Sequence, residues 1–538
     1  MNQRIIRQFT LLLSFTWFQV QSITSISSPA RLSRSPNVFR YSPNIRIMSN
    51  ADVNCCHRRT TEHTALLMTT KDETTKPSTG ASILALAIPA LGAELIDPLM
   101  TIADTAFVGR CSGTDALAGM GSSAALLGFS FYLFNFFCTA TTPLVASRRA
   151  AGNEAGAIAI GGQALSLSLL LGFIMTGVIL VFEQPLLELM GTGITGATAN
   201  GYALSFLGIR AFAAPAVLCI SASTGILRGY LDTKTPIYIL VAANAINLIL
   251  DVILIPGMGL GPTGAAIATT TAEWISALLF LAVLAGKLPS ADGELGSQRR
   301  LPDGTIEIAV TPSLSIPPLE DVKPLLLASG SVFLRSFVLQ VSLASAAGMA
   351  ARAGDATASV AAHQIAMQIW ILCSYTADSL AAAAQGLIAD SLGRGDQDNA
   401  RDVTKTIAVY SVLLGTLLGI GLGIGSTTNF LMELFSSDKN VQYELSKILA
   451  LIVLVQPLNA LVFASDGIVQ GASAFVFQAQ GMAVSGSIGF ASFLAFQYFG
   501  DGSDTLLHVW SALIVLQLMR GITNGWKMND IGLLGSKV

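Results

Sequence analysis

The chain has 538 residues, of which only 12% are charged and 52% are hydrophobic, and its mean hydropathy is +0.63. A soluble protein carries about 25% charged residues, so this composition excludes an ordinary soluble enzyme and predicts a protein that crosses a membrane many times. The net charge of −3 supplies no basic field, so we expect no nucleic-acid partner.

The first 80 residues have the composition of targeting sequence. Arg4 and Arg7 precede an apolar run at residues 9–20, which has the length of a signal-peptide core. Residues 22–50 then contain four arginines, many serines and no acidic residue, as transit peptides do. Together they resemble the bipartite presequence of proteins imported into plastids that have additional membranes. The alternative is a signal peptide and a disordered tail, which would direct the protein to the plasma membrane or an endomembrane.

Twelve apolar runs follow, and each is long enough to cross the hydrocarbon core as a helix, which takes about 20 residues. They cover residues 82–108, 117–146, 157–182, 199–228, 235–256, 263–286, 324–350, 358–390, 403–428, 442–469, 474–499 and 505–526. We therefore predict an all-α polytopic membrane protein with a presequence and tail at 1–80, an N-lobe at 81–286, a linker at 287–323 and a C-lobe at 324–538.

The distribution of Lys and Arg residues supports this count of spans. Of the 20 after residue 80, fourteen lie in loops on the N-terminal side or in the C-terminal tail, to which we assign Arg520, and four lie in the opposite loops. Arg210 and Arg335 fall inside spans. Because positively charged loops stay on the inner side of a membrane, the bias places both termini on that side.

The two predicted halves resemble each other at an offset of 242 residues. The corresponding pairs are Arg110 and Arg352, Pro215 and Pro457, Gly225 and Gly467, and Gly229 and Gly471. Because each half contains six spans, both enter the membrane in the same orientation, as parallel repeats about an axis along the membrane normal. Two six-helix bundles facing a central cavity suit transport by alternating access.

Ionisable groups inside a membrane are costly and mark functional sites. Five of the seven acidic residues in predicted spans lie in the first half. The seven are Glu94, Asp97, Asp104, Asp251, Glu273, Asp378 and Asp466. A purely structural need for polar groups would be expected in both repeats, so the asymmetry indicates a functional site in the N-lobe.

The spacing of these residues places several of them on shared helix faces. Asp97 and Asp104 are two helical turns apart, with Glu94 one turn further along, and Asn247 and Asp251 are one turn apart. Carboxylates, an amide and the hydroxyls near residue 270 bind a proton or Na⁺ rather than a soft transition metal. Burial favours the neutral form of a carboxylate, which can then bind and release a proton near neutral pH. We expect no other cofactor or metal.

Some of these acids also have structural interpretations. Asp97 precedes Pro98, where its carboxylate could cap a break in the helix. Glu273 and Asp466 could lie near the lipid headgroups, and a structural role is favoured for both.

Three basic residues inside spans leave alternatives open. His363 could carry protons, although a packing role fits it better. Arg210 and Arg335 could bind an anionic substrate or could neutralise buried carboxylates.

Several local motifs form a recognisable set. They are Ile88-Pro89-Ala90, Asp97-Pro98, Asp104-Thr105-Ala106-Phe107-Val108-Gly109, Arg228 to Pro236, Asn247 to Asp251, Gly264 to Thr269, Ala361-Ala362-His363-Gln364-Ile365 and Tyr375 to Ala381. Over residues 80–526 the chain resembles the multidrug and toxic compound extrusion (MATE) family, and in particular its DinF-like branch, which has many plant and algal organellar members.

The resemblance implies an antiporter of twelve helices in two lobes, which expels a small organic substrate, a cation or an organic acid, in exchange for H⁺ or Na⁺. The implied cation-coupling residues are Asp104, Asn247, Asp251 and Thr269. The candidates for cavity or substrate contacts are Glu94, Asp97, Asp378 and His363. Arg110 departs from the His or Lys that is common in relatives. We expect a monomer whose partners are its substrate and the lipid bilayer.

Two other classes of function can be compared with this one. A lipid or lipid-linked precursor flippase of the same superfamily would need a more cationic cavity or lateral openings. An intramembrane enzyme would need a catalytic motif, but the sequence contains no HExxH, and its six cysteines form no CxxC pair. We therefore expect no enzymatic activity.

Overall fold

The computed structural model describes residues 78–189, 197–291, 309–312, 319–351, 356–427, 432, 435, 438–500 and 505–535. The predicted presequence and most of the predicted linker lie outside the described residues. Residues 79–538 belong to one compact unit.

All the regular elements in the described ranges are helices. They are α1 (Thr79–Leu133), α2 (Phe136–Ala150), α3 (Glu154–Leu189), α4 (Ala197–Ala211), α5 (Ala214–Gly229), α6 (Lys234–Val252, continued by a π-helix at Ile253–Gly257), α7 (Gly261–Leu284), α8 (Leu319–Ala350), α9 (Ala356–Gly393), α10 (Gln397–Thr427), α11 (Lys439–Gly471), α12 (Phe475–Phe499) and α13 (Thr505–Asp530).

The first helix contains the first membrane span and the beginning of the second, and the two are separated at Gly113. The backbone of Gly113 has φ 82° and ψ −177°, a conformation that glycine adopts without the strain a Cβ would cause. The break divides α1 and α2 into spans at Thr79–Gly113 and Asp115–Ala150. These correspond to the first two predicted spans.

The remaining spans follow the prediction, with one difference in polarity. Ten described helices are long and apolar enough to cross a membrane, and the number is eleven when α4 and α5, which are bent by 48° at their junction, are counted as one span. The eighth predicted span, residues 358–390, corresponds to α9, which is 38 residues long but is not among the helices that are apolar enough to be counted. Because α9 packs against α1, α2, α10 and α11, protein rather than lipid surrounds much of it. The all-α membrane fold is confirmed, and the structure is consistent with twelve spans in two six-helix halves.

The internal repeat is visible in the helix contacts. A Cβ at Gly225 of α5 would lie 2.9 Å from the backbone of Cys138 on α2. A Cβ at Gly467 of α11 would overlap the backbone of Ala381 on α9. The two contacts are equivalent to within one residue under the 242-residue offset, so both halves use a glycine for the same close helix crossing.

The two halves meet on one side of a central cavity. Gly386 of α9 faces the side chain of Leu231, and Gly393 lies against the backbone of Ser147. The cavity has a volume of about 1170 Å³ and lies between the halves, on the Gly113 side of these contacts. It is lined by α1, α4, α5, α6, α7 and α9.

One assignment made from the sequence is wrong. Arg520 was counted with the positively charged C-terminal tail, but it lies inside α13, is only 3% exposed and forms an ion pair with Asp466. Thirteen residues rather than fourteen therefore support the predicted orientation. The bias keeps its direction because one residue is a small part of it.

Candidate cation and substrate site

Three helices of the N-terminal half bring the predicted coupling residues together. Thr269 of α7 donates a hydrogen bond from its hydroxyl to Oδ2 of Asp104 on α1, at 3.3 Å. The carboxyl groups of Asp104 and Asp251 on α6 are close enough to interact electrostatically. Asn247 lies one turn before Asp251 on α6, and both are completely buried.

Several polar atoms of this cluster have no other partner. Both carboxylate oxygens of Asp251, both polar atoms of the Asn247 amide, and Oδ1 of Asp104 find no hydrogen-bond donor or acceptor among the residues that the structure describes. Buried polar groups without partners are rare because they are costly. Two carboxyl groups this close are stabilised when they share a proton or hold a cation. The donor set fits H⁺ or Na⁺.

The central cavity begins beside this cluster, since Asp104 and Thr269 also line its wall. Asp97 lies two turns before Asp104 on α1, and its side chain is exposed in the cavity. Helix α1 continues through Pro98, and Thr101 donates its hydroxyl to the Asp97 carbonyl at 2.9 Å. The Asp97 carboxylate therefore does not cap a helix break.

Arg210 and Glu273 form an ion pair in the cavity wall. The two nitrogens Nη1 and Nη2 of Arg210 contact the two carboxylate oxygens of Glu273, and the Nη2–Oε1 distance is 2.8 Å. Arg210 also interacts electrostatically with Asp104 and Asp97. The sequence left two interpretations of Arg210 open. Its contacts correspond to the second, the neutralisation of buried carboxylates.

The charged residues of the described cavity wall all come from one half of the protein. Its charged lining residues are Asp97, Asp104, Arg210 and Glu273. Once Arg210 and Glu273 balance each other, two carboxylates remain. The C-terminal half contributes Gln368, Ile371 and Tyr375. The rest of the wall is mainly apolar and aromatic, as is usual for organic ligands.

Glu94 and Asp378 lie near each other where the halves meet and are not among the residues that line the described cavity. Glu94 accepts a hydrogen bond from Arg228 at 3.0 Å and interacts electrostatically with Asp378 of α9. His363 is 1% exposed and packs against the ring of Trp510, with ring centroids 5.8 Å apart.

The C-terminal half contains a different polar cluster around Asp466. The carboxylate of Asp466 accepts hydrogen bonds from Arg335 at 2.5 Å, from Asn524 at 2.7 Å and from Gln478 at 3.0 Å, and it also contacts Arg520. These five side chains are all at least nine-tenths buried. Asp466 is therefore fully partnered, unlike Asp251, and Arg335 neutralises a buried carboxylate.

Sequence reasoning missed these ion pairs because their members are distant in the chain. Arg210 and Glu273 are 63 residues apart, and Arg335 and Asp466 are 131 residues apart. The one available signal was that arginines and acids occur together inside the spans, which predicts pairing without identifying the partners.

The fold and the site together define a multi-pass membrane transporter with two six-helix halves and a central cavity. The chain belongs to the MatE family, whose profile matches residues 89–253 and 332–491. This confirms the MATE resemblance, and since MATE proteins are transporters, the chain is not an enzyme.

Named relatives and solved structures agree with this assignment. Protein DETOXIFICATION 44, chloroplastic, of Arabidopsis thaliana is 30% identical over 476 residues, covering 84% of this chain and 82% of that protein. DNA damage-inducible protein F of Escherichia coli (strain K12) is 26% identical, covering 81% of this chain and 89% of that protein. A crystal structure of MATE in the bent conformation is 19% identical, with a TM-score of 0.73, and the match covers 85% of this chain and 96% of that one. This structural likeness shows the fold alone.

Proposed function

We propose that this transporter is a secondary antiporter, which exports a small organic substrate in exchange for H⁺ or Na⁺. Cation coupling takes place at Asp104, Asn247, Asp251 and Thr269. The observation that carries this proposal is the set of buried, unpartnered oxygens of this cluster, directly beside a cavity large enough for an organic molecule. Because one chain provides the whole cavity wall, we propose that the monomer is the working unit.

Coupling follows from the shared electrostatics of the cluster and the cavity. When Asp104 and Asp251 are both ionised, they repel each other and attract a cationic group in the cavity. Binding of a proton or Na⁺ removes the repulsion and lets the helices α1, α6 and α7 approach each other. If the cation lowers the affinity for the substrate, the substrate must lower the affinity for the cation by the same factor. This reciprocity couples the two fluxes.

The structure is closed on one face and has its cavity on the other. Under the predicted orientation the closed contacts lie on the side with the positively charged loops, so this conformation faces outward. Cation binding from that side would favour release of the substrate and closure of the cavity. The contacts of Gly386 and Gly393 between the halves must then separate to open the inner side.

The experiment that tests the proposal is transport by the presequence-free protein in proteoliposomes. Cationic dyes and small carboxylates are offered under an imposed pH gradient, an imposed Na⁺ gradient, or neither. Uptake or efflux that depends on one gradient identifies the coupling ion. Equal transport under all three conditions would contradict antiport.

A lipid flippase is disfavoured by the charges of the cavity. Anionic headgroups need unpaired basic residues, whereas the arginine in the described cavity wall, Arg210, is paired with Glu273. Movement of a fluorescent anionic lipid between leaflets in the same proteoliposomes would favour the flippase instead.

We also propose a plastid membrane as the location. The support is the transit-like composition of residues 22–50 and the word chloroplastic in the names of two Arabidopsis relatives, DETOXIFICATION 44 and 45. A fluorescent protein fused after residues 1–80 tests this. Fluorescence in the endoplasmic reticulum or at the cell surface would contradict it.

A further inference from the structure

We propose that Arg210 controls how strongly the coupling site binds its cation, and that Glu273 sets the strength of that control. In this view the ion pair in the cavity wall adjusts the coupling site without binding the cation itself. The inference rests on the proposed function, because it assigns Asp104 and Asp251 to cation binding.

The first observation is that one helix face holds both the coupling site and the ion pair. Thr269 and Glu273 are four residues apart on α7, which places their side chains on the same face, one turn from each other. Thr269 binds the Asp104 carboxylate, and Glu273 binds the Arg210 guanidinium. The positive charge is therefore anchored about one helical turn from the carboxylate that it influences.

The second observation is that water screens this charge only weakly. Arg210 is 8% exposed, as is Asp104. Charges in such surroundings interact over a longer range than charges in bulk water. Arg210 interacts with Asp104 and Asp97 as well as with Glu273, so one cation is distributed among three carboxylates.

The groups that interact with Asp104 come from three other helices. Asp251 lies on α6, Thr269 and Glu273 lie on α7, and Arg210 lies on α4. Asp97, on α1 itself, interacts with Arg210 and Glu273. Arg210 is the one basic group of this set, and it opposes the binding of any further cation at Asp104. Glu273 draws the charge of Arg210 away from Asp104.

The corresponding positions of the second half carry no such pair. Under the 242-residue offset, Arg210 corresponds to Ile452 and Glu273 to Val515. The pair therefore does not follow from the helix packing that the halves share, and it occurs only in the half that contains the coupling cluster.

Loss of the Arg210 charge and loss of the Glu273 charge should shift the cation affinity of the coupling site in opposite directions. Without the positive charge in Arg210→Gln, protons bind the coupling site more readily, so the pH midpoint of transport rises by about one unit. In Glu273→Gln, Arg210 acts on Asp104 without its counter-charge, so the midpoint falls by a similar amount. The double variant loses both charges and should return to within about 0.3 units of the wild type.

The measurement is the pH midpoint of gradient-driven transport in proteoliposomes for all four proteins. If the wild type is Na⁺-coupled, the half-saturating Na⁺ concentration takes the place of the midpoint, and it should fall in Arg210→Gln and rise in Glu273→Gln. Arg210→Lys is a further control, because it keeps the charge and should keep the midpoint even if the transport rate declines.

The outcomes separate this inference from the proposed function. Shifts in the same direction, or no shift while the wild type depends on pH or Na⁺, would overturn the role of the pair and leave antiport intact. A wild type that depends on neither cation would overturn both. If Arg210→Gln does not fold, Glu273→Gln and the double variant still test the predicted sign.

Discussion

The hydroxyl of Thr269 donates a hydrogen bond to the carboxylate of Asp104 at 3.3 Å, across 165 residues of sequence. This contact joins α7 to α1 at the point where the buried cluster proposed for coupling meets the cavity wall. A change in the charge of Asp104 therefore acts directly on a helix that also lines the substrate cavity.

Asp251→Asn should abolish cation-driven exchange. Asparagine fills nearly the same space but cannot bind or release a proton, and it gives a cation one oxygen with a partial charge instead of a carboxylate. Transport driven by a pH or Na⁺ gradient should fall to the level of protein-free liposomes. Asp115→Asn, which changes an exposed acid outside the cluster, is the matched control and should transport normally. Undiminished exchange in Asp251→Asn would remove the cluster from the mechanism.

Thr269→Val should shift the cation affinity of the coupling site without abolishing coupling. The substitution keeps the shape of the side chain but removes the hydrogen bond that stabilises the ionised form of Asp104, and such a bond contributes about 1 kcal/mol, or roughly fivefold in affinity. Proton affinity should therefore rise, whereas Na⁺ affinity should fall because an oxygen ligand is lost. Thr269→Ser retains the hydroxyl and should stay close to the wild type. The half-saturating cation concentration of the three proteins measures the effect. An equal shift in the serine variant would instead indicate a loss of methyl packing.

Asp466→Asn should destabilise the protein more than it affects coupling. It leaves Arg335 and Arg520 buried without their common carboxylate, and breaking a buried pair costs about 3–5 kcal/mol. The midpoint of thermal unfolding in detergent should fall clearly. Asp398→Asn breaks the exposed pair with Arg401 and should change it little. A loss of cation dependence at unchanged stability would assign Asp466 to coupling instead.

Gly225→Val and Gly467→Val should both prevent correct helix packing. In each case the new side chain overlaps the backbone of a neighbouring helix, at Cys138 or at Ala381. The yield of monodisperse protein in detergent should decline sharply for both variants. Gly177→Val is the control, because nothing lies near a Cβ at that position. A normal yield for only one of the two variants would contradict the equivalence of the two crossings.

The sequence predicted the spans and the repeat well because both depend on local properties. Hydropathy over about 20 residues identifies a membrane helix wherever it occurs, and the break at Gly113 falls within the loop between the first two predicted spans. The span of α9 was also predicted. Its sequence is less apolar than that of the other spans, but polar segments on both sides define its bounds.

The chemistry of individual charges was harder to derive. Spacing along one helix correctly indicates shared faces, as for Asp97 and Asp104 or for Asn247 and Asp251. Family resemblance brought Thr269 into the same set. Neither kind of information indicates whether a charge faces a cavity, a partner or a loop.

The sequence alone therefore determined the membrane class, the twelve spans, the two halves and the identity of the acids inside them, since composition and helical period are properties of neighbouring residues. The tertiary structure alone decided which acids have partners. Asp466 receives four donors, Glu273 binds Arg210, and Asp251 stays unpartnered among the described residues. An ion pair forms only where folding brings together helices that are distant in the chain. The presence or absence of such a partner distinguishes a structural charge from one that is available to bind a cation.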